Sequence, residues 1–188
     1  RYTPPALTTS LVLAPNTLPG GADVLRPGQV NGPEALAVSA AGETLSASRY
    51  NDGRIVRIDL SADIPRAVDH AHTGGSPVDI ELLPDGSLLV CDWRKGLLRV
   101  DPDGQVSTLL SLGALVEGQP FVRPDGVTQA ADGTIYVTEG SARPGVWSGV
   151  CESLGGGSSG RVIGFGPPSG TDRTAVAGLS SAIRQSIG

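Results

Sequence analysis

The segments EALAVSAAGETLSAS from Glu34, VDIELLPDGSLLVCD from Val78 and DGVTQAADGTIYVTE from Asp125 share one pattern when Gly42, Gly86 and Gly133 are aligned. Each is an alternating apolar run, a Gly turn and a second alternating run. Alternation with a period of two sends every other side chain to one face, and a Gly turn between two such runs closes them into a β-hairpin. A third strand follows each hairpin, within GRIVRIDL from Gly53, GLLRVDPDG from Gly96 and SGRVIGFGPPSG from Ser159, and a short fourth strand follows that. The turn glycines stand 44 and 47 residues apart. A period in the mid-forties belongs to four-stranded propeller blades rather than to helical or leucine-rich repeats. The expected fold is all-β, with three propeller blades.

Composition supports this and excludes other classes. With 27 Gly and 15 Pro in 188 residues, no Met and only 4% aromatic residues, the chain reads as many short strands joined by punctuated turns, and 39% hydrophobic content suffices for a core. The net charge of −5 comes without runs of either sign, so a nucleic-acid partner is not expected. No apolar stretch approaches the roughly 18 residues of a membrane span. The sequence opens at Arg1 without a Met, which leaves place for a leader or anchor ahead of it. A secreted, periplasmic or membrane-anchored location is expected ahead of a cytoplasmic one.

Residues 1–32 lack the repeat and, being rich in Pro and Thr, read as an extended arm. Within it, GADVLRPG from Gly21 reads as a strand that completes a blade at the far side of the ring. Residues 33–188 hold blade one to Thr73, blade two from Pro77 to Ser111 and blade three from Asp125 to Leu179. Closed propellers have at least ~4 blades, so a complementary half-propeller segment or a second copy in a homo-oligomer is expected to complete the ring.

Successive antiparallel strands reverse direction, so the start of each inner strand and the loop after each second strand share one mouth of the channel. Glu34 and Asp125 stand at equivalent inner-strand positions, each eight residues before its turn glycine; blade two has Val78 there, beside Asp79. Six residues after the turn glycines come Ser48, Asp92 and Glu139. Rings of oxygen donors suit a hard cation such as Ca²⁺, which takes ~6 to 8 oxygen ligands. The bland alternative is that these carboxylates cap turns or pair with arginines at a solvated rim.

Blade three carries a long insertion, SARPGVWSGVCESLGGGSSG from Ser141, in the loop that overhangs this mouth. Trp147 is its large apolar anchor, and the loop reads either as a lid that encloses substrate or as a mobile segment without function. Cys91 and Cys151 lie on the same side of adjacent blades, which permits a disulfide, though a small buried Cys91 explains that residue equally well. His70 and His72 fall in an outer strand, too few and too far from the channel for a zinc site. GxSxG does not occur, so a serine nucleophile has no motif. The few aromatic residues predict no stacking platform for an aromatic ligand.

Three runs carry a family resemblance. PPALTTSLVLAPNTLPGGADVLRPGQVNGPEALAV from Pro4, with its GPE, resembles the start of strictosidine synthase-like proteins, and LLPDGSLLVCDWRKGLLRVDPDGQVSTLL from Leu82 resembles their second blade. RPDGVTQAADGTIYVTE from Arg123 is similar both to them and to the RPNDG segment of the gluconolactonase and senescence-marker family. The resemblance implies a six-bladed propeller of which this is the N-terminal half, with a site in the central channel. That site holds Ca²⁺ in the lactonase and arylesterase relatives and no metal in strictosidine synthase itself. Glu34 matches the GPE glutamate that serves as a metal ligand, and Arg123 matches an arginine near the substrate. RPDG lacks the Asn of RPNDG, which leaves open whether Asp125 stands for that Asn or for the following Asp.

The expected activity is metal-dependent hydrolysis of a lactone or other carboxylic ester. A channel Ca²⁺ held partly by Glu34 and Asp125 would polarise the carbonyl, Asp79 or Glu139 would orient or deprotonate water, and Arg123 and Trp147 would contact substrate. The alternatives are a metal-free carbon–carbon condensation of the strictosidine synthase kind, whose catalytic glutamate lies in a later blade, and a binding propeller without catalysis. Residues 1–188 alone are expected not to form a stable monomer, since the outer faces of blades one and three would expose apolar surface. Light scattering that finds a monodisperse, cooperatively folding monomer of 19.1 kDa would show the blade count or the ring to be wrong.

Overall fold

The computed structural model describes residues 18–21, 28–141, 157–166 and 173–179. After a single 3-10 turn at Leu18–Gly21 come strands β1 (Pro33–Val38), β2 (Thr44–Arg49), β3 (Arg54–Asp59) and β4 (Ala67–His72). The second set is β5 (Pro77–Leu82), β6 (Leu88–Asp92), β7 (Gly96–Val100) and β8 (Val106–Ser111). A two-residue pair, β9 (Leu115–Val116) and β10 (Gln119–Pro120), precedes the third set, β11 (Pro124–Gln129), β12 (Ile135–Glu139), β13 (Gly160–Phe165) and β14 (Arg173–Leu179). Each set is a four-stranded antiparallel meander in chain order. These are the three expected blades. The proposed ring-closing strand within GADVLRPG, Trp147 with most of the insertion, and Cys151 with its pairing to Cys91 lie outside the described residues.

Period-two alternation decides which blade touches which. In β6, Leu88 and Val90 join Ala35, Ala37 and Ile55 in the core between blades one and two. Their neighbours Leu89 and Cys91 join Val127, Val137 and Ile163 in the core between blades two and three. Blade two is covered on both faces, which is why β6 is buried at every position and reads as an almost unbroken apolar run. On β1 the residues alternate with those facing blade two, and Leu36 and Val38 are 59% and 55% exposed.

The turns explain a difference in register. Blades two and three use Asp-Gly-Ser and Asp-Gly-Thr, in which the Asp85 and Asp132 carboxylates accept the backbone N–H of Ser87 and Thr134, an Asx turn. Blade one has Ala41-Gly42-Glu43, and there the Ser39 hydroxyl accepts the N–H groups of Glu43 and Thr44. Its hairpin is one residue longer, closing Ser39 against Thr44 where the others close Leu83 against Ser87 and Ala130 against Thr134. Counting from the turn glycine therefore misplaces blade one by one: Arg49, not Ser48, is the counterpart of Asp92 and Glu139. The β9–β10 pair was not read from the sequence. Its signal is Glu117-Gly118, both with positive φ (50° and 78°), as a two-residue hairpin turn requires.

The junction of blades one and two depends on Asp92, which has no exposed surface. Its Oδ1 accepts the N–H groups of Ser76, Arg94 and Lys95 at 2.9, 2.8 and 3.1 Å, and its Oδ2 accepts the Thr73 hydroxyl at 2.7 Å. A Cβ at Gly75 would run into this carboxylate. Asp92→Ala strands several buried donors at once and is expected to cost on the order of 3 kcal/mol or more. Gly75→Ala should destabilise as well, and denaturant midpoints of the two variants test both.

Candidate active site at the channel mouth

Each inner strand begins with a proline, Pro33, Pro77 or Pro124, set opposite the last residue of the second strand, Arg49, Asp92 or Glu139. Proline suits the first position of a strand because it has no N–H to offer a ladder. Directly after it, all three blades slip register by one residue. This bulge carries Glu34, Val78 and Asp125, and bulges beside functional sites re-aim side chains. It also leaves a backbone donor without its ladder partner. In blade one the Ala35 N–H goes to the Ser48 hydroxyl at 3.0 Å, and in blade three the Gly126 N–H goes to the Thr138 hydroxyl at 2.8 Å.

The bulges bring the candidate residues together. Burial pushes the Asp125 carboxyl above its usual range; the Arg123 cation works against this, and the carboxylates of Asp79 and Glu34 add to it. Three acids from three blades and one arginine thus share an electrostatic neighbourhood. Glu34 is exposed, Asp125 and Arg123 are half-buried, and Asp79 is buried. Asp79 Oδ2 accepts the N–H of Val127 at 2.8 Å, which fixes this carboxylate between the inner strands of blades two and three. Two residues along β5, Glu81 accepts the Thr128 hydroxyl at 3.4 Å.

Two aromatic residues that the sequence reading passed over stand beside these acids. Tyr50 and Trp93 meet edge to face, with centroids 5.6 Å apart and planes at 90°. The Arg123 guanidinium lies 4.3 Å from the centroid of the Trp93 ring. Tyr50 and Trp93 each follow a second strand, so the strand-direction argument that collected the carboxylates would have collected them too.

Glu139 lies behind this group rather than in it. It has no exposed surface; its Oε1 accepts the N–H groups of Val122 and Arg123 at 2.7 and 3.2 Å, and its Oε2 pairs with the buried Arg161 guanidinium. Arg161 also donates to the carbonyls of Pro120 at 2.9 Å and Val116 at 3.4 Å, on the β9–β10 pair.

The donor chemistry suits a hard cation, because three carboxylates that repel one another are relieved by a divalent ion. Among the described residues, however, no group of three or more Asp, Glu, His or Cys side chains is placed to hold a metal ion.

Breaking the buried pair leaves a charge without its partner, so Arg161→Met alone is expected to cost about 3–5 kcal/mol; adding Glu139→Leu removes that charge but strands the N–H groups of Val122 and Arg123, so the double variant should regain only part of the loss. Urea denaturation of the single and double variants measures the difference.

No protein-family model matches the sequence. The chain is 29% identical over 180 residues to strictosidine synthase-like protein 4 of Arabidopsis thaliana, a match that covers 90% of this chain and 48% of that protein. It is 32% identical over 143 residues to the adipocyte plasma membrane-associated protein of Rattus norvegicus, covering 70% of this chain and 37% of that protein. Among solved structures, a gluconolactonase from Xanthomonas campestris superposes with a TM-score of 0.60 at 18% identity, over 79% of this chain and 48% of that one. The chain spans about half or less of the length of the relatives it matches. Three blades in about half a relative's length agree with a ring of six. The chain is similar in sequence to strictosidine synthase-like proteins and shares the β-propeller fold of the gluconolactonase, carrying three of its four-stranded blades.

Proposed function

We propose that this chain is part of a metal-dependent hydrolase of lactones or other carboxylic esters, with its active site at the mouth of the propeller channel. The observation that supports the reading is that charges from all three blades, Glu34, Asp79 and Arg123, act on the half-buried Asp125 carboxyl. Glu34 and Asp125 would hold a Ca²⁺ together with groups outside the described residues. Bound there, the cation would polarise the ester carbonyl and stabilise negative charge on its oxygen. Asp79 would accept a hydrogen bond from the attacking water and take its proton as the new carbon–oxygen bond forms, then return that proton to the leaving oxygen as the ester bond breaks. Arg123 offers positive charge to the acyl end of the substrate. Glu139 supports the site from below, through the backbone N–H groups of Val122 and Arg123. The likeness to a plasma membrane-associated protein favours a place at or outside the membrane. Among the described residues no helix is long and apolar enough to cross one.

Removing either ligand should separate metal binding from folding. In the wild type, Ca²⁺ at a hundredfold excess over its Kd adds about 2.7 kcal/mol of stability, and Glu34→Gln or Asp125→Asn should abolish that gain together with bound metal and esterase activity. Because folding raises the Asp125 pKa, its protonated form is the one that folding favours. That contribution is fully present below the unfolded value of about 3.9 and is lost as pH rises through the folded value. In chelator at pH 7, Asp125→Asn should therefore be more stable than wild type, and the advantage should vanish in acid. Thermal melts with and without Ca²⁺ across this range test both effects, and unchanged metal content in Glu34→Gln would sink the ligand assignment.

A further inference from the structure

We infer that His70 forms a proton-sensitive latch on the outer rim of the seam between blades one and two, closed while its imidazole is neutral and released when the ring takes up a proton. The inference depends neither on ester hydrolysis nor on a metal. His70 is the extra residue of a bulge: where β3 takes one step, from Val56 to Ile55, β4 takes two, from Asp69 to Ala71, and His70 has no place in the ladder. A bulge re-aims its side chains, and this one brings His70 against the β7–β8 turn of blade two. Gly104 makes the room. A Cβ there would stand 2.3 Å from the His70 carbonyl oxygen and 3.9 Å from its Cε1.

Arg57 crosses the same seam from β3 and donates to the carbonyls of Gly86 at 2.9 Å and Pro102 at 3.4 Å. The imidazole thus shares the seam with a fixed guanidinium, and its Nε2 is buried without a hydrogen-bond partner. A neutral ring can leave that nitrogen without a proton. A charged ring cannot: it puts an N–H with no acceptor, and a second positive charge, into the seam beside Arg57. Little nearby offsets this. On the turn, the Asp101 carboxylate is taken by Arg99 at 3.0 Å; on β4, Asp69 is paired with Arg54, and the His72 Nδ1 accepts the Gly74 N–H at 3.1 Å. Burial and then the Arg57 cation hold the His70 pKa below its usual 6.5, against the opposing pull of the Asp101 backbone and the Asp103 carboxylate. Folding therefore favours the neutral ring. That contribution is present above pH 6.5 and is lost as pH falls from there to the lower folded value.

The test follows two resonances of the full protein through a pH titration: the His70 ring, assigned through His70→Gln and His72→Gln, and the Gly104 amide across the seam. The ring should titrate with a midpoint below 6.5, and the Gly104 amide should shift with the same midpoint. From about pH 7.5 to about pH 5.5 the wild type should lose Tm, and His70→Gln, which fills the seam without taking a proton, should lose less. A ring midpoint at or above 6.5, a Gly104 amide indifferent to the titration, or a His70→Gln variant that loses as much Tm as the wild type each overturns the inference. Should His70→Gln fail to fold, the ring resonance is assigned through His72→Gln alone and the two wild-type titrations decide: one shared midpoint below 6.5 supports the latch, and separate midpoints overturn it.

Discussion

Two buried carboxylates, Asp92 and Glu139, hold the blades in order. Both stand at the last position of a second strand, and both accept backbone N–H groups from the segment that leads into the inner strand of their own blade: Ser76 for Asp92, Val122 and Arg123 for Glu139. That segment crosses from the outer rim of one blade to the axis of the ring, where no sheet ladder can satisfy its donors. A carboxylate offers about four lone-pair sites from a single side chain, enough to replace the missing ladder. The shorter Asp92 works because Gly75 lets the backbone come close. The longer Glu139 reaches further and needs Arg161 to balance its charge in the interior.

The functional geometry is built on that scaffold. Once the incoming segment is pinned, proline starts the inner strand and a one-residue bulge follows, so the residue after each proline leaves the regular alternation. The same backbone device is filled by Glu34, Val78 and Asp125. Blade two supplies its carboxylate from the next position, Asp79, which is tied across to Val127. Burial and mutual repulsion make an ionised Asp125 costly to the fold. A carboxylate perturbed by burial and by neighbouring charges is a candidate for function.

Glu139 shows why residue type and repeat position alone can mislead about role. A glutamate at a strand end beside a channel has the chemistry of a general base, and the repeat puts it on the right side of the blade. Arg161, 22 positions later, decides otherwise: it lies at the start of β13 beyond the long insertion and takes the second oxygen into the interior. Nothing in the local pattern around Glu139 signals that partner.

By itself the sequence determined the blade architecture, because period-two alternation, turn glycines and a mid-forties spacing are local properties of the chain. It also determined the shared mouth, since strand direction follows from strand order. Only the tertiary structure decided which residues at that mouth act together. Side chains from different blades, such as Tyr50, Trp93 and Arg123, meet through the packing of one sheet on the next, a contact that no repeat encodes. The register of blade one was decided there as well, by a Ser39 turn that lengthens its loop by one residue and moves Arg49 into the place that counting assigned to Ser48.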